Sequence, residues 1–228
     1  MHVPDGFLDA PTSIATAAAA ATAIGLALRG ARRELDERVA PLAGLVATFV
    51  FATQMINFPV AGGTSGHLMG GALAAVLVGP YTGILCLTVV LGVQAMLFAD
   101  GGITALGTNV VLMGVVTVVV GYAVARAVQL VLPRRLPMVA VAAALGAIAS
   151  VLASAAVFVG LYSAGGAVPI PLDTLLTAML GVHTLIGVGE AVITFLVVAS
   201  IVSVRPDLVH LARPVLVTRE LETRLVAA

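Results

Sequence analysis

Lysine is absent from this sequence of 228 residues, and only 10% of its side chains are charged. A soluble domain has roughly one charged residue in four, so the composition excludes an ordinary soluble protein. The formal net charge is zero and the 11 arginines are scattered, which leaves no concentrated positive surface for DNA or RNA. The chain also cannot contain the ATP-binding pattern G-x-x-x-x-G-K-[ST], because that pattern requires a lysine.

Cysteine is almost absent as well. The single cysteine, Cys86, has no second cysteine in the chain with which to form a disulfide, and it lies in an apolar stretch. A cysteine in such surroundings behaves as a small hydrophobic side chain. The cysteine content therefore gives no information about the redox compartment.

Apolar residues dominate the chain. They make up 61% of the sequence, and the mean hydropathy is +1.16. Because a spanning helix needs about 20 apolar residues, we predict an all-α integral membrane protein with a bundle of seven transmembrane helices. These helices are predicted at residues 11–28, 40–59, 67–78, 82–98, 104–130, 138–161 and 175–202. Only Gly79-Pro80-Tyr81 separates the third from the fourth, so six spans with one broken helix remain an alternative.

The arginines predict how these helices are oriented. If the N-terminus is outside and the C-terminus is cytoplasmic, every arginine falls on the cytoplasmic side, as the positive-inside rule requires. These residues are Arg29, Arg32, Arg33, Arg38, Arg126, Arg134, Arg135, Arg205, Arg213, Arg219 and Arg224. The outer side then has Asp5, Asp9, Asp100 and Asp173 but no arginine. We predict one polytopic membrane domain at residues 1–203, an acidic outer face and a short cytoplasmic tail at residues 204–228.

The N-terminus places a group of nitrogen atoms in front of the first apolar stretch, and no basic region precedes it, so it is a poor signal peptide. The amine of Met1, the backbone nitrogen of His2 and the His2 imidazole are close enough covalently to close small chelate rings on one metal ion. His67 follows the glycine-rich loop 61–66 and opens the predicted third helix. We predict that residues 1–10 fold into the outer mouth of the bundle and that Met1, His2 and His67 bind a metal ion.

The ligand types narrow the choice of metal. Amine and imidazole nitrogens suit nickel, cobalt, copper and zinc, whereas magnesium and calcium prefer oxygen. Fused chelate rings hold three of the nitrogens near one plane, and a square plane of four nitrogens is typical of nickel(II) or copper(II). Because the ligands must lose protons, including the amide proton of His2, the affinity is expected to fall as pH falls. The alternative is that His2 is an ordinary surface residue and His67 a polar helix start.

Several polar residues are candidates to support these ligands. Those near the N-terminus and the glycine-rich loop are Asp5, Asn57, Thr64 and Ser65. His183 and Glu190 lie seven positions apart on one face of the predicted seventh helix, and ionisable groups inside a membrane are costly and usually functional. We expect Glu190 to hold a helix interface and His183 to support the site. Asp100 and Asn109 lie in a further polar outer segment that could cover it.

Four parts of the sequence resemble the CbiM/NikM family, the substrate-binding membrane components of energy-coupling factor transporters for cobalt and nickel. The resemblance runs from residue 1 to about residue 200 and is based on MHVPDGFL at the N-terminus, NFPV and GTSGHLMGG between residues 57 and 71, ADGGI at 99–103 and HTLIGVGE at 183–190. It implies seven helices and an external N-terminus. It also implies Met1, His2 and His67 as the metal ligands.

The resemblance further implies a substrate and partners. The substrate would be Co²⁺ or Ni²⁺, taken up across the cell membrane of a prokaryote, and the family's common cobalt context is cobalamin biosynthesis. The partners would be a transmembrane coupling protein, cytoplasmic ATPase subunits and in many cases a small accessory membrane subunit. ATP would then be hydrolysed by separate chains, so this chain is not expected to be an enzyme or to hold a prosthetic group. The sequence does not decide between cobalt and nickel.

Two other functions agree with parts of the sequence. Gly63-Thr64-Ser65-Gly66 and His183 could supply the serine and histidine of an intramembrane protease, although this function leaves the N-terminal motif unexplained. A stand-alone metal channel or secondary transporter needs polar residues along its whole pathway. Here they are concentrated at the outer end, and Glu190 is the only charge near mid-membrane. We therefore expect capture outside and release that depends on a partner.

Overall fold

The computed structural model describes residues 1–37, 39–56, 58–60 and 64–226, with only the backbone described for residues 58–60, 64–65, 219 and 221–226. Apart from a hairpin of two three-residue strands, the regular structure is helical. The elements are α1 (Ala10–Ala31), α2 (Val39–Gln54), β1 (Phe58–Val60), β2 (Thr64–Gly66), α3 (Gly71–Val78), α4 (Pro80–Leu97), α5 (Leu106–Asn109), a π-helical segment (Val110–Val116), α6 (Thr117–Val131), α7 (Leu136–Gly165), α8 (Leu172–Val204), 3-10 turns (Pro206–Leu208 and His210–Ala212) and α9 (Arg213–Val226).

Among the residues described, five helical segments are long and apolar enough to cross a membrane, which makes the protein an all-α, multi-pass membrane protein. They are Ala10–Ala31, Pro80–Leu97, Leu106–Val131, Leu136–Gly165 and Leu172–Val204. α2 is apolar but has only 16 residues, and α3 has only 8. Each of the seven predicted stretches contains a helix, but seven complete crossings and the orientation of the termini stay predictions.

The predicted break between the third and fourth helices lies at Gly79. Its φ is +100°, a backbone conformation that favours glycine, and Pro80 begins α4, where its missing N–H needs no acceptor. The Glu34 carboxylate accepts hydrogen bonds from the backbone N–H groups of Tyr81 and Thr82 at 3.2 and 2.7 Å. A Cβ atom on Gly79 would lie 2.4 Å from the carboxyl carbon of Glu34. The close approach of this carboxylate, which caps α4, therefore requires glycine.

The third helix begins four residues later than predicted. We predicted that His67 opens this helix, but α3 begins at Gly71 and residues 67–70 are not helical. Gly70 has φ +76°, and the backbone N–H groups of Met69 and Gly70 donate to the Glu190 carboxylate at 2.7 and 3.1 Å. These hydrogen bonds hold the segment in a non-helical form, so His67 lies on an irregular segment inside the bundle.

The core is divided into two main clusters of buried side chains. α3 lies in the interior with all eight of its residues buried, and the long helices α7 and α8 pack along each other. One cluster includes Leu77 and Leu87, and it is joined by residues 209–215 from the predicted tail, namely Val209, Leu211, Ala212 and Val215. The other cluster includes Met69 and Phe158 and is completed by the N-terminus.

Met1, His2 and Val3 insert into the bundle, and Phe7 and Leu8 are buried as well. Met1 has no exposed surface, and the Phe7 ring packs against Phe158 with a centroid separation of 5.6 Å. Main-chain hydrogen bonds of 2.7 and 3.0 Å join residues 7–9 to residues 165–167 at the carboxyl end of α7. The terminal amine is therefore held in the interior.

Candidate metal centre

The buried terminal amine lies next to an imidazole nitrogen. The amine of Met1 contacts Nε2 of His67, and Val3 fixes the position of this end of the chain. The Val3 N–H donates to Asn109 Oδ1 at 2.8 Å, and the Val3 carbonyl accepts from Asn109 Nδ2 at 3.1 Å. The same carbonyl accepts from the Gly102 N–H at 2.9 Å. A displacement of the amine relative to Asn109 and Gly102 would therefore break these three hydrogen bonds.

The His2 imidazole lies beside that of His67, with a centroid separation of 4.5 Å, and it is 5% exposed. Its Nε2 lies 3.1 Å from Oε1 of Gln94 on α4, and its Nδ1 lies 3.1 Å from Oδ1 of Asp100. A carbonyl oxygen such as Oε1 only accepts hydrogen bonds, and among the residues described Nδ1 has no hydrogen-bond partner, so the proton belongs on Nε2. Nδ1 of a neutral His2 then has a free electron pair.

The His67 imidazole is held in one tautomer as well. Its Nδ1 lies 2.8 Å from the carbonyl oxygen of Leu68 and donates to it, so the electron pair is on Nε2. Hydrogen bonds of this kind fix the tautomer and the ring orientation of histidines that bind metals. Nε2 is the atom that contacts the Met1 amine, so the free electron pair lies where the predicted ligands meet.

The electron pairs around His2 indicate a place for a cation. Nδ1 of His2 and Oδ1 of Asp100 are both acceptors in this tautomer, and two acceptors 3.1 Å apart cannot hydrogen-bond to each other. A positive ion beside them would remove the repulsion between the two electron pairs. Imidazole and amine nitrogens with a nearby carboxylate suit a divalent transition metal.

The amine and the two imidazoles are neutral near pH 7. Burial lowers the pKa of the Met1 amine from 8.0 to about 4, although the charge of Asp100 opposes this shift. Burial also lowers the pKa of His2 to about 3, with a further contribution from the amine, and the same two causes hold the pKa of His67 well below its ordinary value. Unprotonated nitrogens are the form that binds metals, so these groups need lose no proton first.

The segment that bears His67 is held from two helices. Glu190 on α8, which is 2% exposed, accepts the hydrogen bonds from Met69 and Gly70 described above. Gln54 on α2 donates from Nε2 to the Met69 carbonyl at 2.7 Å. Three main-chain polar groups that follow His67 are thus satisfied by side chains, and the Glu190 carboxylate contacts the backbone of the segment.

His183 brings another nitrogen close to this group. It is fully buried on α8, and its Nδ1 lies 2.8 Å from the Met179 carbonyl. Among the residues described, its Nε2 has no hydrogen-bond partner. His183 is close enough to His67 to lower its pKa electrostatically, so an unpaired imidazole nitrogen lies near the predicted ligands.

The other predicted supporting residues do not contact the ligands in the part of the chain that is described. Asp5 is exposed, and its Oδ1 accepts from the N–H and hydroxyl of Thr104 at 2.8 and 2.5 Å, so it joins the N-terminal segment to the loop after α4. Asn57 lies outside the described residues. For Thr64 and Ser65 only the backbone is described.

Two residues that hold the site were missed in the sequence. Gln54 and Gln94 are both fully buried, and each lies in an otherwise apolar helix. A polar side chain in such a helix is a signal of function or of helix contacts, and this signal could have identified both. Asp100 and Asn109 were expected only to cover the site, whereas they contact His2 and Val3.

Side chains alone do not form this site. The described residues include no group of three or more His, Cys, Asp or Glu side chains placed to hold a metal ion. Two of the four predicted donors are instead main-chain nitrogens, the amine of Met1 and the amide of His2. Within the described chain, the His2 amide also donates to no main-chain carbonyl.

Known proteins share both the sequence and the fold. The CbiM family, described as "Cobalt uptake substrate-specific transmembrane region", matches residues 2–208. A Haloquadratum walsbyi protein assigned to metal transport is 41% identical over 209 residues, 92% of this chain and 93% of that protein. The fused nickel transport protein NikMN of Rhodobacter capsulatus is 36% identical over 220 residues, 91% of this chain and 63% of that protein. The crystal structure of a transition metal transporter matches with TM-score 0.78 and 32% identity, covering 90% of this chain and 93% of that chain.

Proposed function

Because the chain belongs to the CbiM family, we propose that it is the substrate-binding membrane component of an energy-coupling factor importer. Its relatives are transport proteins, and with them this chain is a multi-pass plasma-membrane protein of cobalt or nickel transport. We propose that it captures Co²⁺ or Ni²⁺ at the outer face. The observation that supports this capture site best is the buried Met1 amine in contact with Nε2 of His67.

The proposed ligands are four nitrogens: the Met1 amine, the His2 amide, His2 Nδ1 and His67 Nε2. The first three belong to two adjacent residues, so their chelate rings share atoms and hold them near one plane. His67 Nε2 completes the plane. A square plane of nitrogens suits nickel(II), and cobalt(II) accepts the same ligand types. Because all four donors are nitrogens, the site would exclude magnesium and calcium, which prefer oxygen.

Charge balance assigns a role to Asp100. A divalent cation with three neutral nitrogens and one deprotonated amide has a net charge of +1, and a buried charge is costly unless it is paired. The Asp100 carboxylate, 3.1 Å from His2 Nδ1, supplies the missing negative charge. Asp100 thus makes the loaded site neutral.

Replacing Asp100 with asparagine is expected to weaken Ni²⁺ binding by about 10- to 100-fold, the range typical of residues that support metal ligands. The substitution keeps the size of the side chain and removes its charge. Isothermal titration calorimetry on the purified protein measures the effect. Asp173→Asn, an exposed carboxylate at the start of α8, is the matched control and should change the affinity by less than about threefold. Equal effects of the two substitutions would contradict a specific role of Asp100.

The pKa values predict how many protons are released when the metal binds. The amine and both imidazoles are already neutral near pH 7, because burial lowers the pKa of the amine to about 4 and that of His2 to about 3, and holds the pKa of His67 well below its ordinary value. Only the His2 amide then has a proton to lose, so one proton should be released for each Ni²⁺ bound. The value of log Kd should therefore decrease by about one unit for each unit by which the pH is raised. Below about pH 4 the amine also becomes protonated, and the affinity should fall more steeply.

Calorimetry in buffers with different ionisation enthalpies counts these protons. Release of two or three protons at pH 7 would show that the amine or the imidazoles are protonated in the metal-free protein, as in an exposed peptide. Release of none would show that the His2 amide keeps its proton and is not a ligand. Either result contradicts the proposed chelate.

The distribution of polar groups favours this function over the two alternatives. A protease dyad of Ser65 and His183 would leave the buried N-terminus without a role, and the relatives are transport proteins rather than enzymes. A secondary transporter needs polar residues along its pathway. Here the described polar residues around Met1 lie at one end of the bundle, and the buried Glu34 carboxylate toward the opposite end is held by hydrogen bonds to the start of α4.

The proposed partners follow from what the chain lacks. Its sequence has no lysine and hence no Walker A pattern, so we propose that separate cytoplasmic ATPase subunits and a membrane coupling protein supply the energy. We further propose a small accessory membrane subunit as a partner, as the resemblance to the family implies. Release would require the coupling protein to displace residues 1–9 from the bundle. Ni²⁺ uptake by vesicles that contain this chain alone, at the rate of the full complex, would contradict that dependence.

A further inference from the structure

Two clefts meet at the loop between α6 and α7, at the arginine-rich end of the bundle. The smaller has a volume of about 150 Å³, and its polar lining consists of Arg126, Gln129, Arg134, Arg135 and Thr218. The larger, of about 790 Å³, is lined mainly by apolar residues of α7 and α8, among them Leu136, Pro137, Phe195, Ala199 and Val202. Pro133, Arg134 and Arg135 line both, so the two clefts lie side by side.

The smaller cleft is strongly positive. Arg126 Nη1 donates to Gln129 Oε1 at 3.0 Å, and no acidic residue is among the described residues that line the cleft. In the part of the chain that is described, none of Arg126, Arg134 and Arg135 pairs with a carboxylate; the arginine ion pair found there joins Arg205 to Asp207. The amino end of α7 lies at the same place without a capping side chain, and its dipole adds positive potential. The cleft therefore attracts an anion.

The larger cleft extends from these arginines along an apolar face. Phe195, Ala199 and Val202 are spaced by four and three residues, which places them on one side of α8. Phe195 is 39% exposed although it is a large apolar side chain. An anionic group bound at the arginines would thus have an apolar groove directly beside it, which a free inorganic anion would leave empty.

We propose that these two clefts bind one anionic phospholipid, with its phosphate at Arg126, Arg134 and Arg135 and an acyl chain along Phe195 and Ala199. Basic residues at the end of a membrane helix attract anionic lipid headgroups, and a volume of 150 Å³ holds about five water molecules, which is ample for a phosphate group. The site lies at the opposite end of the bundle from the metal ligands. It is independent of the function proposed above.

Native mass spectrometry of the full chain, titrated with phosphatidylglycerol in detergent, tests the site. Each basic residue contributes about 1 kcal/mol to the attraction, so Arg134→Gln/Arg135→Gln should weaken binding roughly thirtyfold. Both side chains are exposed, and the double variant should stay monodisperse and bind Ni²⁺ as before. Arg205→Gln is the matched control, because this arginine lies outside the clefts, and it should leave lipid binding within about twofold.

The apolar groove is tested separately. Ala199→Leu narrows the larger cleft without changing charge and should weaken phosphatidylglycerol binding, while millimolar inorganic phosphate should not displace the lipid from the wild-type chain. Full displacement by phosphate would reveal an anion site without a lipid chain and overturn the proposal. Equal binding of phosphatidylcholine and phosphatidylglycerol, or unchanged binding by the double arginine variant, would overturn it as well.

Discussion

Two residues added in front of Met1 are expected to abolish high-affinity binding of Ni²⁺ or Co²⁺. The extension converts the terminal amine into an amide and forces additional backbone into a region where Met1 has no exposed surface. Two of the four nitrogen donors are then lost or displaced. We expect the affinity to fall at least about 1000-fold, which corresponds to about 4 kcal/mol. Calorimetry on the extended chain, after its own initiator has been removed, measures this loss.

The length of the extension matters. A single residue would make His2 the third residue, and an amine, two amides and that imidazole would offer four nitrogens of their own. A two-residue extension avoids this new chelate. The same two residues added after Ala228 provide the control, which should bind metal like the wild-type chain. An extended chain that keeps wild-type affinity would show that the terminal amine is not a ligand.

Removal of the Glu190 carboxylate is expected to have the second largest effect. In Glu190→Ala the buried N–H groups of Met69 and Gly70 lose their acceptors, and each unsatisfied buried group costs about 1–3 kcal/mol. The segment after His67 would rearrange to satisfy these groups, and the His67 imidazole would move with it. We expect Ni²⁺ affinity to fall at least about 30-fold and the midpoint of thermal unfolding to decrease.

Two further variants separate hydrogen bonding from other effects. Glu190→Gln keeps one acceptor oxygen and should fall between alanine and the wild type in both measurements. Thr194→Ala removes a buried hydroxyl one turn along α8 that has no hydrogen-bond partner among the residues described. It should change the Ni²⁺ affinity by no more than about threefold and leave the midpoint of thermal unfolding close to that of the wild type. Equal losses in Thr194→Ala and Glu190→Ala would indicate general damage to α8 rather than a role for the carboxylate.

Most of the helices could be read from hydropathy alone. Residues 138–161 and 175–202 were predicted, and α7 and α8 contain both ranges, because a lipid-facing helix must be apolar along its whole length. Gly79-Pro80 marked the break before α4 for local steric reasons. The start of α3 was misplaced because the side chains of Gln54 and Glu190, which are distant in sequence, make hydrogen bonds to the backbone of Met69 and Gly70. The residues next to His67 in the sequence do not indicate these hydrogen bonds.

The proposed ligands stay a prediction, and local patterns in the sequence were enough to make it. Met1 and His2 are adjacent, so covalent geometry alone indicates a chelate, and His67 follows a glycine-rich loop. Gln54 and Gln94 were missed because they lie 40 residues apart on different helices, and only the packed bundle brings Gln94 to His2 and Gln54 to the Met69 carbonyl. Asp5 was expected beside the ligands because it is near them in sequence, but the turn at Gly6 and the hydrogen bonds to Thr104 place it at the surface.

X-ray absorption at the nickel edge tests the terminal chelate most directly. On the wild-type chain loaded with one Ni²⁺, we predict a four-coordinate, square-planar spectrum with nitrogen ligands only and outer-shell scattering from two imidazole rings. The chain with two residues before Met1 should lose this spectrum. A six-coordinate site rich in oxygen in the wild type, or the same square-planar spectrum from the extended chain, would contradict a metal held by the Met1 amine, His2 and His67.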